Sequence, residues 1–320
     1  MDPQFWSWII PLDLQSFIMI LGLAFLMEIL YPFHKGILLT IHPVHTSYFM
    51  AKRLTRPFSS RLFGIIVNLT CILTHLLLYT VLMLLCYRIS PIIWLFCAAY
   101  ILKVSFSTRL LLELVYRVGK AVSMGRGELA RKLAQHLVRR DVYKLDDEHL
   151  LSASIESLAE SLVDGFVSPM FYYLLLGPIG ALFQRVVNTI DGAIGYRTAE
   201  LKDVGWFSAK LDTIINYIPA RITALLIIIS SPIISTSILR AWRIYLRDRN
   251  KTESMNAGHP MAAMAGVLGI CLEKPGHYRL GDPTRPIEPG DVSKAIKVAV
   301  SSMVAFMVMA ILTRLLLEVF

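Results

Sequence analysis

Charged side chains are scarce in this sequence. Asp, Glu, Lys and Arg together make up 17% of the 320 residues, whereas hydrophobic residues make up 55%, and the mean hydropathy is +0.58. An ordinary soluble domain carries roughly 25% charged residues, so this composition excludes that class of protein. It predicts instead an all-α, polytopic integral membrane protein.

Cysteine is also rare, and none of the four cysteines belongs to a CxxC pair. Cys71, Cys86 and Cys97 lie inside apolar runs, and Cys271 stands alone. This spacing supports neither a disulfide framework nor a zinc site. The amino terminus lacks the basic region and the small-residue cleavage site of a signal peptide, so we expect the first apolar run to remain as a membrane anchor.

Familiar nucleotide-binding motifs are missing as well. No G-x-x-x-x-G-K-[ST] loop occurs, so a nucleotide that binds here must do so outside the P-loop plan. The segment GRGELA at 125–130 has the letters of G-x-G-x-x-A, but no predicted strand leads into it, which argues against a Rossmann fold. His42 and His45 are three residues apart with Pro43 between them and no other soft ligand nearby. We interpret them as polar residues of a turn rather than as a metal-binding pair.

Long apolar runs are abundant. Five of them are long enough to cross a hydrocarbon core of roughly 30 Å. They cover residues 8–31, 62–87, 91–115, 216–239 and 296–317. A sixth run, 166–187, is interrupted by Pro169, Gly177, Pro178 and Gly180, which predicts either a kinked span or a re-entrant segment. We therefore expect about five spans plus this broken segment, within a single membrane domain that covers residues 1–320.

The net charge of +9 is unevenly distributed, and its distribution predicts an orientation. Four basic residues crowd the first connection between spans: Lys52, Arg53, Arg56 and Arg61. Arg88 is nearly alone in the second connection, so the positive-inside rule places the first and third connections in the cytosol. This predicts a multi-pass protein of the cytoplasmic membrane. The basic stretch 240–251 fits the same side, where its charge suits anionic lipid or an anionic substrate.

Three polar islands lie between the apolar runs, at 117–165, 188–221 and 254–283. The first predicts two cytosolic amphipathic helices, GELARKLAQHLVRRD and DDEHLLSASIESLAESLVD, with Asp146 or Asp147 as the N-cap of the second. The third predicts a Gly- and Pro-rich loop around a short helix of small residues. Connections between membrane helices seldom need so many polar groups, so the islands are the candidates for chemistry.

An acidic stripe occurs in the second of these helices, where Glu156, Glu160 and Asp164 are spaced four residues apart. Each step of four residues turns a helix by about 40°, so the three carboxylates share one side. Like charges at this spacing repel by roughly 0.2–0.5 kcal/mol per pair unless something neutralises them. A solvated helix face and a site for a divalent metal or a cationic group are both consistent with the stripe.

Sequence motifs in and around the islands resolve this ambiguity. They are HPV at 42–44, RRD at 139–141, IESLAESLVDGFVSPMFYYLLLGPIGALF at 155–183, NTIDGAIGYR at 188–197, GWFSAKLDTIINYIPARITA at 205–224 and NAGHPMAAMAGVLG at 256–269. In content and order the chain resembles the CobD/CbiB family of cobalamin biosynthesis proteins, the adenosylcobinamide-phosphate synthases of the membrane. It departs from the motifs of that family at Ser161, which replaces an asparagine, and at His259, which replaces a tryptophan.

The resemblance implies an ATP-dependent amide ligation. The propionate carboxylate of adenosylcobyric acid would be joined to aminopropanol or its O-phosphate, giving adenosylcobinamide or its phosphate. A carboxylate does not react with an amine unaided, so the implied course is activation to an acyl phosphate followed by attack of the amine. Such chemistry needs Mg²⁺ and cationic groups around the phosphates, and it needs both reactants to be positioned.

Residue chemistry laid over the matching motifs selects three groups of site residues. The expected Mg²⁺ ligands are Glu156, Glu160 and Asp164. The expected catalytic residues are Glu160, Asp164, Asp191 and Asp212. The expected substrate-binding residues are His42, Arg140, Asn188, Arg197, Lys210, Asn216, Arg221, Asn256 and His259. For Arg140 and Arg131, pairing with the acidic stripe inside the protein is as well supported as a substrate contact.

Two other functions are consistent with a polytopic chain. A non-catalytic, AmpE-like membrane signalling protein would have lost the polar motifs, yet NTID, NYIPAR and NAG are all present. A transporter predicts internal repeats and acids inside the spans, whereas Asp13, Glu28, Glu113 and Glu318 all lie near or just beyond span ends. We therefore favour the enzyme, with ATP, Mg²⁺, the corrinoid, the aminopropanol substrate and membrane lipid as ligands and no nucleic acid. A second copy of the chain and other membrane-bound cobalamin-assembly enzymes stay open as protein partners.

Corrinoid precursors, ATP and the amine are cytosolic, so the motif-bearing islands and the active site are expected to face the cytosol. Single cysteines at positions 191 and 256, in a background without native cysteines, should resist a membrane-impermeant thiol reagent outside sealed vesicles. They should react once the vesicles are permeabilised. Strong labelling of both positions from the outside would contradict this orientation.

Overall fold

The chain is predominantly helical. A computed structural model describes residue 11 and residues 13–319. Its helices, in chain order, are α1 (Leu14–Leu30), α2 (Ile37–Thr40), α3 (Pro43–Leu54), α4 (Arg61–Ile89), α5 (Pro91–Lys103), α6 (Arg109–Ser123), α7 (Gly127–Ala134), α8 (Asp147–Leu162), α9 (Ser168–Ile194), α10 (Trp206–Ile215), α11 (Tyr217–Ile229), α12 (Ile238–Asp248), α13 (Gly258–Leu268) and α14 (Pro289–Val319). The start of the predicted run 8–31, with its predicted role as an anchor, lies outside the described residues.

A small antiparallel hairpin is the exception to the predicted all-α class. Strands β1 (Leu272–Lys274) and β2 (Tyr278–Leu280) pair in the third polar island. The short helix predicted in that island is confirmed as α13. The hairpin was not predicted, because each strand has only three residues and shows too little alternation to be recognised.

Among the described residues, three helical stretches are long and apolar enough to cross a membrane. They are Arg61–Ile89, Asp147–Ile194 and Pro289–Glu318. A fourth span results if the consecutive helices Trp206–Ile215 and Tyr217–Ile229 count as one. The chain therefore has helices of the length and apolar character that a membrane protein needs. The count of five spans plus a broken segment stays a prediction.

The predicted span 91–115 is wrong, because the helix ends inside it. α5 ends at Lys103 and α6 begins at Arg109. In the turn between them, the hydroxyl of Ser105 donates a hydrogen bond to the carbonyl of Ile101 (2.7 Å), which satisfies one of the last carbonyls of α5. Hydropathy did not reveal the turn, because apolar residues lie on both sides of it.

Two further predicted boundaries are also wrong. The predicted span 216–239 is shorter, because α11 ends at Ile229 and a 3₁₀ turn with a left-handed Ser235 follows it. The predicted amphipathic helix GELARKLAQHLVRRD ends early, at Ala134. The side chain of Gln135 donates to two carbonyls of the following loop and accepts from a third backbone group there, so a polar side chain replaces the helical hydrogen bonds.

The break predicted in the run 166–187 is confirmed. Gly177 has φ 67° and ψ −163°, a left-handed conformation that glycine adopts without a steric penalty. Pro178 follows and has no N–H to donate to the preceding turn. α9 therefore consists of two helical segments on either side of this point. A π-helical turn, Val163–Val167, precedes it.

The described residues form two compact units. The first unit comprises residues up to 107, residues 168–215 and the residues from 310 onward, and the second comprises residues 108–167 and 216–309. In the first unit α1 packs on α5, and both α3 and α4 pack on α9. In the second unit α13 packs on α8, α11 and α12, and every one of its 11 residues is buried. The single membrane domain stays a prediction.

Gly64 of α4 marks a close approach inside the first unit, where a Cβ would lie 2.0 Å from the carbonyl oxygen of Val204. A backbone carbonyl has little freedom to move aside, so Gly64→Ala should lower the free energy of unfolding by roughly 1–3 kcal/mol. Thermal unfolding in detergent measures this change. Gly22→Ala in α1 is the matched control, because nothing lies within 4 Å of its Cβ. Equal melting temperatures for the two variants would contradict the close approach.

Candidate functional site

Helix α8 carries the acidic stripe and is a core helix of the second unit. Asp146 is its N-cap and accepts a hydrogen bond from the N–H of His149 (2.8 Å), as predicted. The apolar face expected of an amphipathic helix consists of Leu151, Ile155, Leu158 and Leu162, and all four are buried. Most other residues of α8 are buried too. The helix is therefore not a solvated surface element, which weakens the simpler interpretation of the stripe.

Glu156 is the buried member of the stripe, at 5% exposure. Its Oε1 accepts hydrogen bonds from Arg140 Nη2 (3.1 Å) and from Ser152 Oγ (2.7 Å), and its Oε2 accepts one from the Tyr278 hydroxyl (2.6 Å). A buried carboxylate is costly unless it is paired and hydrogen-bonded, and these three donors meet that requirement. We call Arg140, Ser152, Glu156 and Tyr278 the Glu156 cluster.

The Glu156 cluster ties the hairpin to α8. The hydroxyl of Ser152 accepts a hydrogen bond from the N–H of Glu273 in β1 (2.8 Å). Burial and the nearby charge of Glu156 raise the pKa of Tyr278 well above its usual range, so its hydroxyl stays protonated and donates. No sequence motif singled out Tyr278. Ser152 had one usable signal, its position one helical turn before Glu156.

The two arginines that were candidates for internal pairing differ. Pairing of Arg140 with the stripe is confirmed by its contact with Glu156. Pairing of Arg131 with the stripe is wrong, because Arg131 contacts Asp147 (3.9 Å) and donates to the carbonyl of Leu145 (2.9 Å). A substrate contact for Arg140 stays a prediction. Its Nε and Nη1 are buried, and neither has a hydrogen-bond partner among the described residues.

The other two members of the stripe are more accessible. Glu160 is exposed and Asp164 is half-buried. α8 ends at Leu162, so Asp164 lies in the π-helical turn, which holds more residues per turn than an α-helix. The prediction of one regular stripe is therefore wrong at Asp164. Within the described part of the chain, no three or more His, Cys, Asp or Glu side chains are grouped so that they could hold a metal ion.

Two predicted substrate-binding residues from distant motifs meet in the second unit. Arg221 of NYIPAR donates from Nη1 to Oδ1 of Asn256 in the NAG motif (3.2 Å). Its guanidinium carbon also lies 3.3 Å from the centre of the Tyr217 ring, a cation–π contact. This pairing presents a guanidinium and an amide side by side, which suits recognition of an anionic or amide-bearing group. Asn216, also predicted, is buried at the N-cap of α11.

His259, which departs from the family motif, is buried in α13. Its Nδ1 shares a hydrogen bond with the hydroxyl of Tyr245 (2.9 Å). Burial, followed by the positive charges of Arg221 and Arg249, lowers the pKa of His259 to about 4. The ring is therefore neutral at physiological pH. Its binding to substrate stays a prediction, and Tyr245 was not identified from the sequence.

The first unit contains a polar group of its own around Asn188. Asn188 Nδ2 donates to Asp212 Oδ1 (3.2 Å), so the NTID and AKLDT motifs meet there. Arg185 donates from Nη1 to Asn188 Oδ1 (3.4 Å) and from Nε to the carbonyl of Ser105 (2.7 Å). Arg185 was missed, although it lies three residues before Asn188 and thus on the same helical side.

Three other predicted residues of the first unit lie near this stretch of sequence. The Asp191 carboxylate lies against Gly195, where a Cβ would be 1.8 Å from Oδ1 and 2.8 Å from the carbonyl oxygen of Asp191. Arg197 and Lys210 are exposed. Neither Arg197 nor Lys210 forms an ion pair with another described residue, so their roles stay predictions.

His42 caps α3, because its Nδ1 accepts a hydrogen bond from the N–H of Val44 (3.2 Å). The prediction that His42 is a polar residue of a turn is therefore confirmed. Burial lowers its pKa to about 3, with the neighbouring charges of His34, Lys103 and Arg185 contributing. The His34 ring lies 4.5 Å from the His42 ring.

A buried ion pair lies beside these histidines. Lys103 and Glu28 are 3.6 Å apart, and their side chains are 4% and 3% exposed. Lys103 Nζ also lies 3.4 Å from Nδ1 of His34. Charged residues within apolar runs were the available signal for this pair, which lies outside the matching motifs.

Nearly the whole chain is similar to one protein family. Residues 21–299 match the family described as CobD/Cbib protein. The chain is 43% identical over 296 residues to the probable cobalamin biosynthesis protein CobD of Aeropyrum pernix, and the match covers 91% of each chain. It is 38% identical over 242 residues to the cobalamin biosynthesis protein CobD of Clostridium perfringens, covering 72% of this chain and 76% of that one. No solved structure matches the chain.

The Glu156 cluster makes a prediction about stability. Glu156→Gln leaves Arg140 without its counter-ion and should lower the free energy of unfolding by roughly 1.5–3 kcal/mol, the usual contribution of a hydrogen bond to a charged group. Arg140→Met should be destabilising for the same reason. The double variant should lose less than the sum of the two single variants, because the interaction can be removed only once.

Unfolding by denaturant or heat in detergent measures the three free energies. Glu128→Gln is the control, because Glu128 is exposed on α7, and its removal should leave stability nearly unchanged. Additive losses for Glu156→Gln and Arg140→Met would show that the pair is not coupled and would contradict the cluster.

Proposed function

This chain belongs to the CobD/CbiB family of cobalamin biosynthesis proteins, and we propose that it is an adenosylcobinamide-phosphate synthase. The proposed reaction is an ATP-dependent amide ligation. It joins a propionate carboxylate of adenosylcobyric acid to the amine of aminopropanol or of aminopropanol O-phosphate. The proposed location is the cytoplasmic membrane, with the active site facing the cytosol.

The observation that carries the proposal is that the three carboxylates of the acidic stripe differ in burial. Glu156 is buried and its charge is balanced by Arg140, whereas Glu160 is exposed and Asp164 lies half-buried in a π-helical turn. Such turns occur frequently at functional sites. The Glu156 cluster also holds α8 in place, which fixes Glu160 directly and Asp164 through the turn that continues the helix.

Mg²⁺ is the metal that the family resemblance implies, and two of the three expected ligands suit it. Mg²⁺ is usually held by one or two carboxylates together with substrate phosphates, so a group of three protein ligands is not required. Glu160 and Asp164 provide such a pair. Glu156 suits the role less well, because its oxygens already accept hydrogen bonds from Arg140, Ser152 and Tyr278. A bound Mg²⁺ would neutralise phosphate charge during phosphoryl transfer.

The proposed reaction has two steps. A carboxylate oxygen of the corrinoid attacks the γ-phosphorus of ATP, the bond to the β-phosphate oxygen breaks, and an acyl phosphate and ADP result. The amine then attacks the acyl carbon, loses a proton, and displaces inorganic phosphate as the amide forms. The protein's contribution to both steps is to position the reactants and to stabilise negative charge.

The remaining roles follow from the side-chain contacts. Arg221 and Asn256 form a paired guanidinium and amide, which we assign to an anionic or amide group of the substrate. The amine must lose a proton, and Asp212 or Asp191 is proposed as the acceptor. Asp212 accepts a hydrogen bond from Asn188 (3.2 Å), which orients its carboxylate.

The proposal predicts that the double variant Glu160→Gln, Asp164→Asn loses ligase activity. Both substitutions keep side-chain shape but remove anionic oxygens. Loss of a metal ligand at a phosphoryl-transfer site should cost on the order of 10³-fold in rate, or about 4 kcal/mol of transition-state stabilisation. Membrane insertion and folding should persist. The measurement is amide product formed by purified protein from adenosylcobyric acid, ATP, Mg²⁺ and either form of aminopropanol.

The matched control is Glu128→Gln with Glu288→Gln, which removes two exposed carboxylates elsewhere in the second unit. This control should retain parental activity. If the Glu160, Asp164 double variant forms product at the parental rate across a range of Mg²⁺ concentrations, these carboxylates do not bind the metal. If the parental protein itself forms no amide with any of the substrates, the ligase assignment is wrong.

A further inference from the structure

Helix α12 presents three distinct faces around its axis. The first face is buried against α13 and consists of Ala241, Ile244, Tyr245 and Asp248. α12 and α13 pack closely, because a Cβ at Gly266 would lie 2.9 Å from the backbone of Ala241. The other faces of α12 are therefore held outward, away from the core of the second unit.

The second face is an exposed apolar stripe. Leu239, Trp242 and Leu246 are spaced three and four residues apart, which places them on one side of the helix. They are 68%, 38% and 45% exposed. Ile238, 44% exposed, borders the same stripe. An exposed row of large apolar side chains on one helix indicates a surface that is covered when the protein is in its native setting.

The third face is a basic stripe. Arg240, Arg243 and Arg247 repeat with the same spacing, about one third of a turn from the apolar stripe, and all three are exposed. Arg247 forms ion pairs with Asp248 and Asp282, at 2.7 Å each. Arg240 and Arg243 form no ion pair with any other described residue. The positive charge on this face is therefore available to an anionic partner.

The carboxyl-terminal end of α12 is fixed by buried Asp248. Asp248 accepts hydrogen bonds from Arg247 (2.7 Å) and from the N–H of Gly281 (2.7 Å), and it pairs with Lys251 (2.6 Å). Burial alone would raise the pKa of Asp248, but these donors outweigh it and lower the pKa to about 2. The carboxylate is therefore ionised at physiological pH. It ties the end of α12 to the backbone at Gly281.

We propose that the exposed face of α12 lies in the interfacial layer of the membrane, where Leu239, Trp242 and Leu246 enter the acyl boundary and Arg240 and Arg243 bind anionic phospholipid headgroups. An apolar stripe that contains tryptophan beside a row of arginines is the pattern of an interfacial helix. The apolar helix α11 and the 3₁₀ turn Ser231–Ile234 lead directly into α12, so the membrane is close in the chain. The proposal does not depend on the ligase reaction.

The first test measures the environment of the apolar stripe in the full-length protein. A nitroxide at Leu246→Cys, in a background without native cysteines, is compared with one at Asn250→Cys just beyond the helix. The protein is reconstituted in nanodiscs of phosphatidylcholine with phosphatidylglycerol. At 246 the label should be accessible to oxygen and protected from a water-soluble nickel chelate, and at 250 the reverse should hold. Free access of the chelate to both labels would overturn the membrane contact.

The second test measures headgroup binding by native mass spectrometry, as the retention of phosphatidylglycerol relative to phosphatidylcholine. Arg240→Gln with Arg243→Gln should lower that preference by about fivefold for each arginine removed, the usual contribution of a basic residue at an anionic surface. Arg126→Gln with Lys132→Gln is the charge-matched control and should keep the preference. Circular dichroism should show both double variants folded. An unchanged preference in the Arg240, Arg243 variant would refute the headgroup contact. If the nickel chelate reaches the label at 246 and another protein binds over this face, α12 is a docking surface for that protein and the proposal is wrong.

Discussion

The candidate site of the second unit depends on the need to balance the buried carboxylate of Glu156. Glu156 accepts hydrogen bonds from Arg140, Ser152 and Tyr278, and the partners come from the loop after α7, from α8 itself and from the hairpin. Loss of a hydrogen bond to such a buried charge typically costs roughly 1.5–3 kcal/mol, a substantial part of the ~5–15 kcal/mol by which a typical domain is stable. These contacts hold α8 at Glu156, and Glu160, one turn further along the same side of the helix, is exposed.

The same need to pair buried charges accounts for polar contacts in the first unit. In a chain with few charges, each buried charge needs a partner, and Glu28 with Lys103 is such a pair. Asn188 with Asp212 satisfies the same rule for half-buried polar groups. Two of these residues, Asn188 and Asp212, lie in motifs that match the CobD/CbiB family. The two residues that pair with each other are therefore also residues of the family motifs. This is expected if the motifs hold reactive groups in place as well as supplying them.

Helix α13 links the candidate site of the second unit to the proposed membrane surface. Its small residues let neighbouring backbones approach closely, because a Cβ at Gly258 would lie 2.2 Å from the carbonyl oxygen of Arg249. Asn256, which pairs with Arg221, precedes α13, and α12 packs along it. A change in how α12 contacts lipid would therefore act on an element that also carries substrate-binding candidates. The close packing makes α12 and α13 one rigid pair rather than two independent helices.

Local features of this protein were determined by the sequence by itself, because their causes lie within a few residues. These are the helical membrane class, the break at Gly177 and Pro178, an aspartate cap at residue 146 or 147 and the apolar face of α8. Only the tertiary structure decided which charges pair, that Asp164 falls in a π-helical turn, and that α5 ends at Lys103. Tyr278 lies 122 residues from Glu156, so no periodicity connects them. Apolar composition is continuous across the end of α5, so hydropathy could not locate a turn that depends on packing and on one hydroxyl.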